Sequence, residues 1–381
     1  MKPLYCAWSV VYWARVLMCL GPLLGLCTPV GAQERWVVGQ SAPLTGSNAK
    51  FGADIRDGAR AYFAAVNARG GVAGKTIELV TLDDKNDRAL AAANAKVLLE
   101  NKHLLALFGF ASATLSLDAL PQAQAKGVAF FAPFSGANPV RTNSPVLFTV
   151  RASYGEEMQT ILDFWTSLGF KRPTVVHYDD EVGKQNLAVV TNYLRRLNLE
   201  PQALALKRNE VVGHAQAMQL RAQQPDFVIY TVLSAPAAQL QKELVAIGRL
   251  VPTSSLSFVG ADQFISAAGP AAAGVSIAQV VPNPGAALPV VRECASALEA
   301  IDIKSPMNST QLESCIAAKV LVEGLRHTGK SLSARTLVQA LRELGNYDTG
   351  GYRVNFSPGK QHGSAYVELA MVTRAGKLVS R

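Results

Sequence analysis

Charged side chains are scarce in this 381-residue sequence: Asp, Glu, Lys and Arg make up 17% of it, against 49% hydrophobic residues. So little charge argues against long disordered stretches and leaves ample apolar material for a core, at a length that suggests about two domains. The basic residues are scattered, with no block of them interleaved with aromatics, so a nucleic-acid interface has no support. Catalytic signatures are missing as well. No HExxH, GxSxG, P-loop or GxGxxG occurs, and the five histidines (His103, His177, His214, His327, His362) form no i, i+4 metal pair. With no activated nucleophile, metal site or cofactor fingerprint to nominate, the sequence reads as a protein that is not an enzyme and takes no cofactor. Cysteine is rare and front-loaded: Cys6, Cys19 and Cys27 fall near the start, and only Cys294 and Cys315 lie beyond it.

The first 32 residues have Lys2 and Arg15 as their only charges, an apolar stretch from Val16 to Cys27, and Val30 and Ala32 at the −3 and −1 places of a small-residue cleavage site. The apolar stretch is short of the roughly 20 residues that span a membrane. It reads as a secretory signal peptide cut before Gln33, with an N-terminal anchor helix as the alternative. Without it the basic and acidic residues number 35 and 28, a net charge of +7. Two cysteines in an exported chain invite a disulfide between Cys294 and Cys315; two buried thiols are the other reading.

What is present in quantity is alternation. Apolar runs (Trp36–Gly39, Ile77–Leu82, Leu105–Phe110, Val128–Ala132, Leu147–Val150, Thr174–His177, Pro201–Leu206, Phe227–Val232, Ser257–Val259, Val275–Val280) are predicted strands. Between them lie amphipathic stretches predicted as helices: Gly52–Asn67, Arg88–Glu100, Leu115–Lys126, Gly155–Leu168, Gly183–Leu197, His214–Gln223 and Ala237–Ile247. Strand, helix, strand repeated in this way means α/β, with parallel sheets covered on both faces. The tail breaks the rhythm with three successive helices, Val290–Ile301, Leu312–Thr328 and Ala334–Leu344, then strands Tyr352–Phe356 and Ser364–Val372. Crossings near Arg151–Tyr154, Val281–Gly285 and Ser357–Gly363 then give two doubly wound lobes, 33–150 with 284–360 and 151–283 with 361–381, joined by a multi-strand hinge. Ligands of such sheets sit outside the carboxyl ends of the strands, so both lobes would offer those ends to one cleft.

The stretch from Gln40 to Phe51 is long for a strand-to-helix connection, which usually takes about two to six residues. It belongs to a run, VVGQSAPLTGSNAKFGADIRDGARAYFAAVNARGGVAGKTIELVTLDD, that resembles the start of the leucine/isoleucine/valine-binding type of periplasmic substrate-binding protein. The likeness continues in order through LFGFASATLSLDALPQA, GVAFFAPFSGANPVR, VVHYDDEVGKQNLA, PDFVIYTVLSAPAAQL, LSFVGADQF and YRVNFSPGKQHGSAYVEL. The resemblance implies a type I periplasmic binding fold, a periplasmic location, an ABC permease in the membrane as partner, a small carboxylate or amino acid as ligand, and a monomer. The same clam could instead report its ligand to a receptor or kinase.

Residue by residue, the resemblance implies a carboxylate held at Ser112 and Ala113, where a strand passes into a helix whose free N–H groups suit an anion; the plain alternative is a helix cap at Ser112 or Thr114. Phe134, Ser135 and Gly136 match positions that give a carbonyl to the ligand's amino group and a hydroxyl or amide to its carboxylate; the alternative is a surface turn. Asp262 stands where an acidic residue meets the ligand's amino group, one methylene shorter than the common glutamate. Phe51, Val182 and Leu233 would line the side-chain pocket at positions that are commonly aromatic. The family's disulfide after the Asp-Asp strand is absent, Asn86 and Ala111 lying near its two places. Asp179 and Asp180 either grip a ligand cation or face solvent, and His177 reads as a packing or rim residue. The ligand is thus an apolar amino acid, or an aliphatic or aromatic carboxylate with no amino group.

Overall fold

The computed structural model describes residues 35–46, 48–207 and 211–380. The expected signal peptide and its cleavage site lie outside them. In chain order the elements are β1 (Arg35–Ala42), α1 (Ala49–Asn67), β2 (Thr76–Asp83), α2 (Arg88–Leu99), β3 (Leu104–Phe108), α3 (Ala113–Ser116), α4 (Ala119–Lys126), β4 (Ala129–Phe131) and β5 (Leu147–Phe148). Then follow α5 (Tyr154–Ser167), β6 (Pro173–Tyr178), α6 (Glu181–Arg195), β7 (Gln202–Leu206), α7 (His214–Gln223), β8 (Phe227–Thr231), α8 (Ser234–Ala246), β9 (Thr253–Ser255), α9 (Ala261–Ala268) and β10 (Ser276–Gln279). The chain ends with α10 (Pro289–Glu299), α11 (Ser309–His327), α12 (Ala334–Arg342), β11 (Gly345–Asp348), β12 (Arg353–Phe356), β13 (Glu368–Val372) and β14 (Leu378–Ser380).

The first sheet is all parallel, in the order β2-β1-β3-β4-β5. The second repeats that winding as β7-β6-β8-β9-β10 and adds β13 and β14 antiparallel at one side. Both are open sheets that reverse direction after their first strand, so each has a switch-point crevice at its carboxyl edge, where such folds place ligands. The fold is α/β, built on two doubly wound open sheets. Helices α1, α10 and α11 and the β11–β12 hairpin bury apolar residues on one face of the first sheet, and α2 and α4 cover the other. Helices α7–α9 cover one face of the second sheet, and α5 and α6 the other.

Close approach sets the geometry at the first strand-end loop. A Cβ at Gly52 would lie 1.9 Å from the Pro43 carbonyl oxygen, so only glycine lets α1 leave the β1 turn this tightly. One turn and a half later, a Cβ at Gly58 would meet the Gln311 carbonyl at 2.2 Å; its absence lets α1 and α11 cross closely. Near that crossing, Cys294 of α10 and Cys315 of α11 are disulfide-bonded, with Cα atoms 6.0 Å apart and both residues fully buried.

Several elements differ from the sequence expectations. Strand β1 runs on to Ala42, in register with β2 to Asp83. The extension is polar and partly satisfied: Gln40 accepts from the Thr81 hydroxyl at 2.9 Å while its buried Nε2 has no partner among the described residues, and the Ser41 hydroxyl donates to Asp84 at 2.9 Å. Expected strand Ser257–Val259 is a single 3-10 turn, and the strand before it is Thr253–Ser255. Its residues are buried yet hydroxylated, with Ser254 held by the Trp165 indole at 2.7 Å and by Ser276 at 2.6 Å, so no apolar pattern marks it. Expected helix Leu115–Lys126 is broken into α3 and α4 at Leu117 and Asp118, where Asp118 binds Arg88 at 2.6 Å.

The segments between the two sheets lie side by side. Thr149 bridges to His362, its N–H donating to Gln361 O at 3.0 Å and its carbonyl accepting from Gly363 N at 2.8 Å. The buried Tyr352 hydroxyl reaches the carbonyls of both Val150 (2.5 Å) and Val280 (3.2 Å), tying two crossings together.

The disulfide closes a loop spanning 21 positions. Replacing both cysteines by alanine should lower the unfolding free energy by about 2–4 kcal/mol. Urea denaturation of the C294A/C315A variant beside the oxidised wild type checks this, and coincident midpoints would show that the bridge contributes nothing.

Candidate functional site

The carboxyl-edge loops of the first sheet hold six of the sequence-derived site residues. Phe51, half-buried in the first turn of α1, meets Phe134 edge-on with ring centroids 6.3 Å apart. Phe134 is buried after β4, its N–H bonded to Phe110 O at 2.8 Å. Ser112 is the N-cap of α3: its hydroxyl accepts from Leu115 N at 3.2 Å, and its carbonyl accepts from the Ser116 hydroxyl at 2.6 Å. The Ser135 hydroxyl, 2% exposed, accepts from Ala137 N at 3.2 Å and lies 3.4 Å from the Tyr154 hydroxyl. Gly136 presses against the same tyrosine: a Cβ there would sit 2.7 Å from the Tyr154 ring, and its carbonyl accepts from Tyr154 N at 2.9 Å. Ala113 is buried in the cluster that contains Tyr154. Ser135 and Gly136 therefore gather at Tyr154, the first residue of α5.

On the second sheet the strand ends are used differently. Asp180 caps α6, accepting from Gly183 N at 2.8 Å, and Asp179 pairs with Lys184 at 3.1 Å, so both carboxylates have local partners. His177 is buried, its Nδ1 2.8 Å from the Tyr178 carbonyl oxygen. Val182 is half-buried in the first turn of α6; Leu233 is exposed, its N–H donating to the Tyr178 hydroxyl at 3.2 Å. The turn after β9 carries Ser257 and Phe258 inward and Asp262 to the rim.

Between the two sheets is a cavity of about 30 Å³. Phe51, Phe134, Glu313 and Ser309 wall it from the first layer; Ser257, Phe258, Asp262 and Gln279 from the second; Arg151, at a crossing, faces it as well. Of the sequence-derived residues, the structure places Phe51, Phe134 and Asp262 on this wall. Ser112, Ala113, Ser135, Gly136, Val182 and Leu233 are not on it.

The polar heart of the wall is an ion cluster. Arg151, 3% exposed, contacts Glu157 of α5 and Glu313 of α11, each at 3.3 Å, and donates to the Ser257 hydroxyl. Glu157, fully buried, also accepts from Ser257 N at 2.7 Å and from the Ser257 hydroxyl at 2.9 Å. The Arg151 guanidinium carbon lies 6.0 Å from the Tyr154 ring centre, and among the described residues its Nε has no partner. Burial pulls the arginine's pKa down, but the charges of Glu313 and Glu157 more than offset this and leave it raised. Burial raises both glutamates, with Arg151 opposing. At the rim, crowding by protein atoms and the charge of Asp54 push Asp262 up although it reaches solvent. Asp54 is itself raised by burial, against the pull of Lys50 at 2.6 Å. Gln279 of β10 accepts from the Ser309 hydroxyl at 2.7 Å, a further link between layers.

Sequence reasoning missed Arg151, Glu157, Ser257, Gln279 and Glu313. A signal was present for one of them: Glu313 is a charged residue within the run Leu312 to Ala318, which is buried on every side of α11. Among the described residues no group of three His, Cys, Asp or Glu could hold a metal ion, and no helix is long and apolar enough to cross a membrane.

Comparison with known proteins bears on this arrangement. Residues 36–377 match the family profile described as periplasmic binding protein. A Pseudomonas aeruginosa protein named amino acid binding protein is 27% identical over 257 residues, 66% of this chain and 68% of the other. The crystal structure of a possible leucine/isoleucine/valine-binding protein from Rhodopirellula baltica superposes with a TM-score of 0.86 at 27% identity, covering 93% of this chain and 98% of that one. A substrate-binding periplasmic protein from Ralstonia solanacearum gives 0.84 at 30% identity, over 91% of this chain and all of that one.

Two outcomes follow from the ion cluster. Arg151→Ala leaves two buried carboxylates without their cation and should cost about 3–5 kcal/mol of stability, whereas R151M/E157Q/E313Q should regain most of it. Urea midpoints of the three proteins decide this; equal midpoints for wild type and R151A would show that the cluster is energetically idle. The second outcome concerns pH. A carboxyl raised in the fold binds more protons there than in the unfolded chain, so its contribution falls as pH rises from its ordinary value of 4.5 through the raised one. Wild type should therefore lose stability relative to E313Q as the pH rises above 4.5; parallel stability profiles would contradict a raised Glu313.

Proposed function

The chain belongs to the periplasmic binding protein family, and on that premise we propose that it is the extracytoplasmic solute-binding component of an ABC importer, taking up a small apolar carboxylate, an amino acid first among them. In this reading residues 1–32 direct export, 33–150 with 284–360 form one lobe, 151–283 with 361–381 the other, and an ABC permease receives the closed form. The family binds solutes and does not convert them, and this chain is read in the same way.

One observation carries the proposal: strand-end side chains of both sheets meet at a single cavity, with Phe51 and Phe134 on one side, Phe258 and Asp262 on the other, and Arg151 between. Apolar walls with a few convergent polar groups are the usual make-up of a small-molecule site. The Arg151 Nε, without a partner among the described residues, would supply a donor for a ligand acceptor, and Ser112, Ala113, Ser135 and Gly136, engaged by the protein's own groups beyond Tyr154, would become carboxylate contacts only once the lobes part. A cavity of about 30 Å³ admits only a small group, so a whole amino acid requires the lobes to part. The crossings joined at Thr149, Val150, Val280 and His362 are where such hinge bending would be absorbed. Val182 and Leu233 would meet the solute's side chain from the second lobe.

A ligand that binds only the native state adds RT ln(1+[L]/Kd) to stability, about 2.7 kcal/mol at a hundredfold excess over Kd. Thermal melting of the purified mature chain with the standard amino acids and with aliphatic and aromatic acids should show a raised Tm for at least one apolar compound. A flat response to the whole panel would remove the solute-binding reading.

A further inference from the structure

We infer that the crossings between the sheets contain a proton-sensitive joint centred on His362, and that acid loosens one lobe from the other by breaking a ring of hydrogen bonds there. The inference rests on the hinged, solute-binding reading above and concerns how that hinge is regulated. His362 lies half-buried in the segment between β12 and β13, bridged to Thr149 just past β5.

Every hydrogen in the ring has one place to go. A carbonyl only accepts, so the 3.1 Å contact between His362 Nε2 and the Arg141 carbonyl oxygen puts a hydrogen on Nε2. In a neutral imidazole the other nitrogen is then an acceptor, and Nδ1 takes the Thr149 hydroxyl hydrogen at 3.0 Å. Thr149 Oγ1 in turn accepts from Arg141 Nη1 at 3.3 Å. The circuit closes: Arg141 side chain to Thr149, Thr149 to His362, His362 back to the Arg141 main chain.

Arg141 also reaches out of the ring. Its side chain is 12% exposed; Nη1 donates to the Arg151 carbonyl at 3.1 Å, and Nη2 lies 3.7 Å from Glu156 in the first turn of α5. Arg141 stands in the loop before β5 of the first sheet, whereas α5 packs on the second. Glu156 is itself held by the Ser153 N–H and hydroxyl at 2.6 and 2.9 Å. The guanidinium is thus a strut between the two layers, and the ring fixes its position.

A proton on Nδ1 undoes the circuit. Thr149 Oγ1 would face two donors, Nδ1–H and Arg141 Nη1–H, while its own hydrogen loses its acceptor. An imidazolium would also stand beside the guanidinium and repel it. The charged groups acting on His362 are Arg141 from the loop before β5 and Glu156 from α5; Arg141 further feels Arg151, Glu157 and Tyr352. Burial first, then the Arg141 charge, hold the imidazole below its ordinary value of 6.5, against its bond to the Arg141 carbonyl and the Glu156 charge. The ring is therefore intact at neutral pH and breaks under acid. The main-chain bonds from Thr149 N to Gln361 O and from Gly363 N to Thr149 O carry no titrating group, so the hinge stays joined while the strut is released.

Spin labels on K96C of α2 and R221C of α7, both exposed, report the separation of the layers by double electron–electron resonance on the mature chain. The native cysteines are bridged and buried, so only the introduced thiols react. From about pH 8 to about pH 5, the range in which histidine changes charge, the wild-type population at longer distance should rise about threefold to tenfold, the worth of one hydrogen bond. H362Q, which keeps an N–H for the Arg141 carbonyl and cannot be charged, should show no such rise. Urea midpoints should show wild type losing stability relative to H362Q as the pH falls below 6.5, since the unfolded imidazole takes its proton before the folded one. T149V, which removes the hydroxyl and leaves the imidazole, should sit at the longer distance already at neutral pH and ignore acid; it decides the question if H362Q does not fold. Wild-type distances that coincide at both pH values, or an H362Q response equal to that of wild type, would overturn the joint. If a compound that raises Tm shifts the distances and acid does not, the hinge reading stands and the joint alone is wrong; if neither shifts them, the hinge falls too.

Discussion

A single guanidinium organises the centre of this molecule. Arg151 lies 3% exposed at a crossing between the sheets, and burying its charge is tolerable only if carboxylates come to it. They come from separate elements: Glu157 from α5, packed on the second sheet, and Glu313 from α11, packed on the first. The turn after β9 supplies Ser257 to hold Glu157. Each of these elements is fixed locally. A capping box at Ser153 and Glu156 starts α5 just before Glu157, and a second at Asn308 and Gln311 starts α11 just before Glu313. Helix starts defined to the residue are what place two carboxylates at 3.3 Å from one arginine.

The fold was legible wherever period and burial agreed. Runs such as Leu105 to Phe110 and Phe227 to Val232 are apolar because both faces of the strand are covered, and α/β winding follows from their alternation with helices. Reading failed where a buried strand is made of hydroxyl residues. The hydroxyls of Thr253, Ser254 and Ser255 are hydrogen-bonded inside the fold, and at the end of β1 the Gln40 carbonyl oxygen and the Ser41 hydroxyl are as well. Short β11 and β14 pair in antiparallel ladders at the margins and show little apolar signal.

The site was legible in part for a related reason. Loops after parallel strands are identifiable from the pattern of the strands themselves, and within them the resemblance, not the pattern, singled out Phe51, Phe134 and Asp262. The ion cluster was not, because its members stand inside a crossing and inside helices, and their meeting is a long-range event: Arg151 and Glu313 are brought together only by tertiary packing. Resemblance also steered attention toward hydroxyls at Ser112 and Ser135. In the structure these are engaged in capping α3 and in contacts with Ala137 and Tyr154.

The same cluster bears on how a hinged binder could move. A buried ion pair is held by Coulomb attraction in a poorly screening interior, but nearly as much free energy is returned when water resolvates the separated charges. Parting α11 from Arg151 would therefore cost much less than the contact distances suggest, provided water reaches both groups. The backbone ties at Thr149, Gly363 and Tyr352 lie at the crossings, on the hinge side, and such a motion can leave them intact. An interface that is nearly neutral toward opening, hung on a hinge that is not, is what allows the binding energy of a small solute to decide the balance, since a ligand can shift an equilibrium only by its differential affinity for the two states. A wholly apolar seam of the same area would offer no such return on hydration and would resist opening in proportion to the surface it exposed.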